Sequence, residues 1–147
     1  MTSQLGNVTS SNATLVLTAE TVFPAGITLE QFSTEDIFSM DELTVMETRM
    51  GIDGKLMASY VPSVQTVTIK LEPASPSHQF MTTLYSAIKA NQRPFECTLV
   101  ATLPSIRQIY TWSGGTLKSG TPVPNAKKTL EATSWKFEFA DLNITSY

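Results

Sequence analysis

The sequence predicts a mainly β protein, an antiparallel β-sandwich or small barrel with one packed α-helix. Three observations carry that expectation. Residues 65–72 set Val67, Ile69 and Leu71 against Thr66, Thr68, Lys70 and Glu72, and residues 130–140 set Trp135, Phe137 and Phe139 against Ser134, Lys136 and Glu138; a period of two is the mark of a strand with one buried face. Asp53-Gly54 marks a tight turn, because glycine accepts a positive φ at no steric cost. Only one segment repeats its apolar residues at helical spacing, through Phe80, Met81, Leu84, Tyr85 and Ile88.

In chain order, Thr14, Val16 and Thr18 alternate with Leu15 and Leu17 in a first strand. Pro24 and Gly26 break the chain before a short strand over residues 27–32. Residues 39–50 read as one longer strand, with Leu43 and Val45 alternating with Thr44, Met46 and Thr48. Residues 56–60 return from the Asp53-Gly54 turn to pair with residues 48–50. After the strand at 65–72, Ser75 caps a helix, Pro76 suits its first position, and Asn91 and Pro94 end it. Residues 95–103 and 107–112 regain β character on either side of Pro104. Residues 113–128, SGGTLKSGTPVPNAKK, read as a loop rich in Gly, Pro and Lys, and residues 130–140 form the last strand. The predicted organisation is a single domain over 1–147: an N-terminal arm and first strand at 1–25, a hairpin arm at 48–62, a helix at 76–90 and a loop at 113–128.

Composition narrows the function classes. The chain has 147 residues, 41% of them hydrophobic and 16% charged, and a domain of this length holds a core without a disulfide or metal. Its single cysteine, Cys97, allows neither an internal disulfide nor a cysteine-based zinc site, and reads as a small buried hydrophobe. A net charge of -3 and a pI near 5.1 argue against a protein that grips phosphates. No apolar run reaches membrane-span length, and the first residues lack the basic and apolar regions of a secretory signal. Charge is asymmetric: residues 1–73 balance to -6 and residues 74–147 to +3. Such a dipolar subunit is suited to head-to-tail contacts, which close into rings or run on as filaments.

The search for chemistry returns nothing. His78, the one histidine, falls in the first helical turn and reads as a solvated residue. Without a second His or Cys it is no metal site, and no G-x-S-x-G elbow supplies a nucleophile to partner it. Ser113-Gly114-Gly115 is not followed by a phosphate-loop pattern. Asp36, Asp41 and Glu42 lack calcium-loop spacing and read as a solvated acidic face. Asn7, Asn12 and Asn143 head accidental glycosylation triplets. No catalytic residue, cofactor or metal is expected, and the chain reads as a structural protein.

Residues 49–84 carry something more specific. They run R-M-G-I-D-G-K, then T-V-T-I-K-L-E, then S-P-S-H-Q-F-M-T-T-L. This order resembles the tail tube proteins of contractile-tailed bacteriophages, in a turn at Gly51, Asp53, Gly54 and Lys55, a strand from Thr66 to Leu71, and a helix opening at Ser75, Pro76 and Ser77; His78 departs from the expected Asn. The resemblance implies a tail-tube-like fold and a structural virion protein assembled in the host cytoplasm. Hexameric rings joined into a continuous β-barrel would stack as the tail's inner tube. The implied partners are further copies, the sheath, baseplate and tape-measure proteins, with no membrane, and DNA passing through the lumen without specific binding.

On that basis the polar faces of the two clean strands, Thr66, Thr68, Lys70 and Glu72 with Ser134, Lys136 and Glu138, are expected to line the lumen. Their mixed signs offset one another, so the wall neither grips nor strongly repels phosphate. Met50, Ile52, Leu56, Met57 and Tyr60, with the Asp53-Gly54 turn, make a patch too apolar for a solvated hairpin tip and are expected to bind the next subunit. Two alternatives remain open: a baseplate tube-initiator or secretion-system tube protein of similar fold, and a glycan-binding β-sandwich using Tyr110 and Trp112.

Overall fold

β-branched and aromatic residues in period-two runs build antiparallel strands around one helix. The computed structural model describes residues 13–20, 22–29 and 38–147. In order the elements are β1 (Thr14–Ala19), β2 (Phe23–Leu29), β3 (Phe38–Met40), β4 (Met46–Met50), β5 (Leu56–Tyr60), β6 (Gln65–Leu71), α1 (Pro76–Asn91), β7 (Cys97–Leu103), β8 (Gln108–Gly120), β9 (Thr133–Phe139) and β10 (Asp141–Ser146). Among the described residues eight strands form one ladder, ordered β2-β1-β7-β8-β9-β6-β3 with β10 also on β8, while β4 and β5 pair only with each other. The ladder is open at both ends among the described residues, a folded-over sheet and not a closed barrel.

β8 makes the fold-over. Its residues 108–113 lie between β7 and β10, and its residues 116–120 pair with β9. One layer sends Leu15, Leu17, Leu99, Ala101 and Trp112 into the core; the other sends Val67, Ile69, Leu71, Trp135, Phe137 and Phe139. α1 adds Met81 and Leu84, both fully buried, while Phe80 meets Phe23 edge-on at 5.5 Å. The Ser75 hydroxyl accepts from the Ser77 amide at 3.1 Å to cap the helix start, and Gln92, left-handed at φ 53°, ends it through a 2.7 Å bond from its amide to the Ile88 carbonyl.

Four sequence expectations need correction. The strand over 39–50 divides into β3 and β4, because β3 pairs with β6 whereas β4 leaves the sheet to pair with β5. β2 starts at Phe23, so Pro24 and Gly26 lie inside it; an edge strand tolerates a residue with no amide to donate. The rest of the expected strand at 27–32 lies outside the described residues. The loop at 113–128 is strand as far as Gly120, and its glycines shape a corner. Gly114 takes φ +66°, and a Cβ on Gly115 would overlap the Phe139 ring and the Glu138 carbonyl oxygen. Finally, the strand at 130–140 spans only Thr133–Phe139, and the chain turns at Ala140 into β10, which the sequence reading did not identify.

Candidate assembly surfaces

Outside the core the molecule offers two surfaces that the sequence singled out. Antiparallel register places Thr66 opposite Glu138, Thr68 opposite Lys136 and Lys70 opposite Ser134, so six of the seven expected lumen residues form one continuous polar ladder across β6 and β9. Glu72 lies off it: β6 ends at Leu71, and the Glu72 carbonyl accepts from the Ser75 amide at 3.0 Å in the turn before α1. The ladder also takes in residues the sequence reading missed. Ser39 pairs with Thr68 on one side, and Thr116 faces Glu138 on the other. Lys118 Nζ contacts Glu138 Oε1 at 2.6 Å, and that hydrogen bond raises the lysine above its ordinary pKa. The cross-strand offset expected between lysines and glutamates therefore comes partly from β8. Alternation of Thr116 and Lys118 with Leu117 carries the signal, which the neighbouring glycines masked.

The hairpin is the second surface. Gly51 donates to the Lys55 carbonyl at 2.8 Å, Gly54 to the Gly51 carbonyl at 3.0 Å, and Lys55 to Asp53 Oδ1 at 3.2 Å, with Gly54 at φ +81°. This closes a three-residue loop whose left-handed last residue explains the Asp-Gly pair. Every residue of β4 and β5 is exposed. The arm is therefore not folded onto its own core, with Met50 66%, Leu56 65% and Tyr60 72% accessible. Register sorts its faces. Met46–Tyr60, Thr48–Ala58 and Met50–Leu56 share one side, and Glu47–Ser59 and Arg49–Met57 share the other. Of the expected contact residues, Met50, Leu56 and Tyr60 come together on the apolar side, Met57 sits among polar neighbours, and Ile52, Asp53 and Gly54 form the tip.

Groups that resemble chemistry are structural. His78 is half-buried and not free in solvent: its Nδ1 lies 3.1 Å from Thr133 Oγ1, a buried hydroxyl that also accepts from Trp135 Nε1 at 3.1 Å. Cys97 is fully buried, and burial pushes its thiol up to about 11. Trp112 is 2% exposed and packs against Phe38, Tyr110 and Phe139, so the glycan-binding alternative loses its stacking platform. A groove of about 520 Å³ is lined by Glu20, Glu96 and Glu138 among apolar residues, with Thr116 as its one hydroxyl and Glu138, its cross-strand neighbour, tied to Lys118. Glu20 is held ionised there by Arg93 at 2.7 Å, which lowers its pKa. Among the described residues no three His, Cys, Asp or Glu side chains are grouped to hold a metal, and no helix is long and apolar enough to cross a membrane.

The folded-over sheet with its helix and free hairpin is a tail-tube-like fold found in contractile injection systems. A chain of the anti-feeding prophage baseplate matches at TM-score 0.61 and 11% identity, covering 99% of this chain and 98% of that one. A chain of the PVC sheath-tube complex in its extended state matches at TM-score 0.53 and 12% identity, covering 90% and 88%. One from the anti-feeding prophage cap matches at 0.52 and 12% identity, again covering 90% and 88%. The chain itself belongs to the family described as tail fiber protein gp32, which matches residues 6–143. No curated protein sequence matches it.

Proposed function

We propose that the protein is a non-enzymatic tail tube subunit of a contractile phage tail, forming hexameric rings that stack around a channel for DNA. The observation that carries the reading is the hairpin. A two-stranded ribbon without a core is marginal in water, and this one exposes Met46, Tyr60, Met50 and Leu56 on one side, around the Thr48–Ala58 pair. The tail family and the tube-like fold support the same role. In this reading sheath, baseplate and tape-measure proteins are the partners and the virion tail is the location. A baseplate tube-initiator is the alternative, favoured by the likeness to a baseplate chain.

Negative-stain microscopy of the concentrated full chain tests the proposal. Rings and tubes are the expected result, and a protein that stays monomeric overturns it. Replacing Met57 and Tyr60, one on each side of the hairpin, with serine is expected to abolish tubes while circular dichroism still reports a folded monomer. Normal polymerisation of that variant would exclude the arm as an interface.

The polar ladder of β6 and β9 is the proposed channel wall. Glu138→Lys shifts the charge by two units per copy, about twelve around a six-membered ring, and leaves Lys118 without its 2.6 Å partner. Tubes of this variant should still form but retain duplex DNA in a salt-sensitive way, since added cations gain affinity by counterion release. Unchanged DNA retention would place the ladder outside the channel.

A further inference from the structure

We propose that the apolar side of the β4–β5 hairpin seats on the exposed core-side face of β8 and β10 in a second copy of this chain, a contact that rests on the tube reading. The receiving face is defined by a gradient along paired strands. Trp112, opposite Leu142, is 2% exposed. Two residues further on, Tyr110 is half-buried, and its partner Ile144 is 57% exposed. Beyond them Gln108 and Ser146 close the strand pair. The opposite layer thus stops short of this end, leaving a shelf of Tyr110, Leu142 and Ile144.

Three arguments assign the occupant. Symmetry argues against a second apolar hairpin side: such a like-to-like contact is isologous and closes as a dimer, whereas rings and filaments are built by two different surfaces of one chain. Chemistry matches, because Met46, Met50, Leu56 and Tyr60 offer flexible and aromatic apolar groups to a shelf of the same kind. Access matches as well. Among the described residues β10 pairs only with β8, and β4 and β5 only with each other, so no further paired strand flanks either surface.

The test uses the full chain, in which buried Cys97 is shielded from added oxidant. Met50→Cys and Ile144→Cys chains are mixed, assembled, oxidised and resolved without reductant. The hetero-linked dimer should exceed either homodimer by roughly tenfold, well above random pairing of two surfaces. In a second arm, Met50→Glu and Ile144→Lys should each lower the assembled fraction roughly tenfold, and mixing the two should restore it by charge pairing. Dominant Met50 homodimers, or tubes that form without a hetero-link, overturn the docking and leave the tube reading standing. Failure of the unmodified chain to form rings or tubes overturns both.

Discussion

A Gly115→Ala chain is expected to lose a large share of its folding stability. The added methyl group would overlap the Phe139 ring and the Glu138 carbonyl oxygen, one fully packed and the other part of the backbone. Neither can retreat without opening the corner where β8 passes from one layer to the other. Forced overpacking of this kind costs about 3 kcal/mol or more, a large share of the roughly 5–15 kcal/mol that holds an ordinary domain together. The adjacent Gly114→Ala is the control: a left-handed residue costs only about 1–2 kcal/mol, and its new Cβ would meet Ala140 Cβ at 3.4 Å, an ordinary contact. Urea unfolding of both variants measures the difference. If Gly115→Ala proves no less stable than Gly114→Ala, the close approach at the corner does not exist.

Leu84→Ala should cost about 2–5 kcal/mol, the range for a fully buried leucine truncated to leave a cavity. Leu84 is 0% exposed and joins α1 to the common core. For a chain of this length that loss lowers the thermal midpoint by roughly 5–15 °C. Calorimetry giving a cost below about half a kcal/mol would mean that the helix does not pack through this residue.

Much of the architecture was legible wherever one residue type has one local meaning. Strict alternation in β6 and β9 located both strands and their buried faces, because a one-residue slip would expose every apolar side chain at once. Ser75-Pro76 placed the helix start, and Asp53-Gly54 placed the hairpin turn. Legibility failed where glycine had two meanings. Gly114 and Gly115 read as loop residues, yet one supplies an unusual φ inside a strand and the other supplies space for a neighbouring strand. Pairing partners were equally invisible: nothing in residues 39–50 reveals that β3 and β4 join different sheets. Of the surfaces, the alternation announced the polar ladder, but only register showed that Lys118 belongs to it and Glu72 does not. His78 was misread because its tie to Thr133 spans 55 positions of sequence.

The shared strand has a mechanical consequence. In a sandwich of two separate sheets the layers part along a slip plane, resisted only by the side chains between them. Here β8 is a covalent member of both layers, laddered to β7 and β10 before the corner and to β9 after it. A load on either layer passes along that backbone into the other, and no shear plane crosses the body without breaking ladder bonds. Yielding then begins at the margins, where, among the described residues, β2, β3 and β10 have a partner on one side only. The body behaves as a stiff segment with compliant edges, able to pass a load from one layer to the other while its rims adjust to whatever lies beside them.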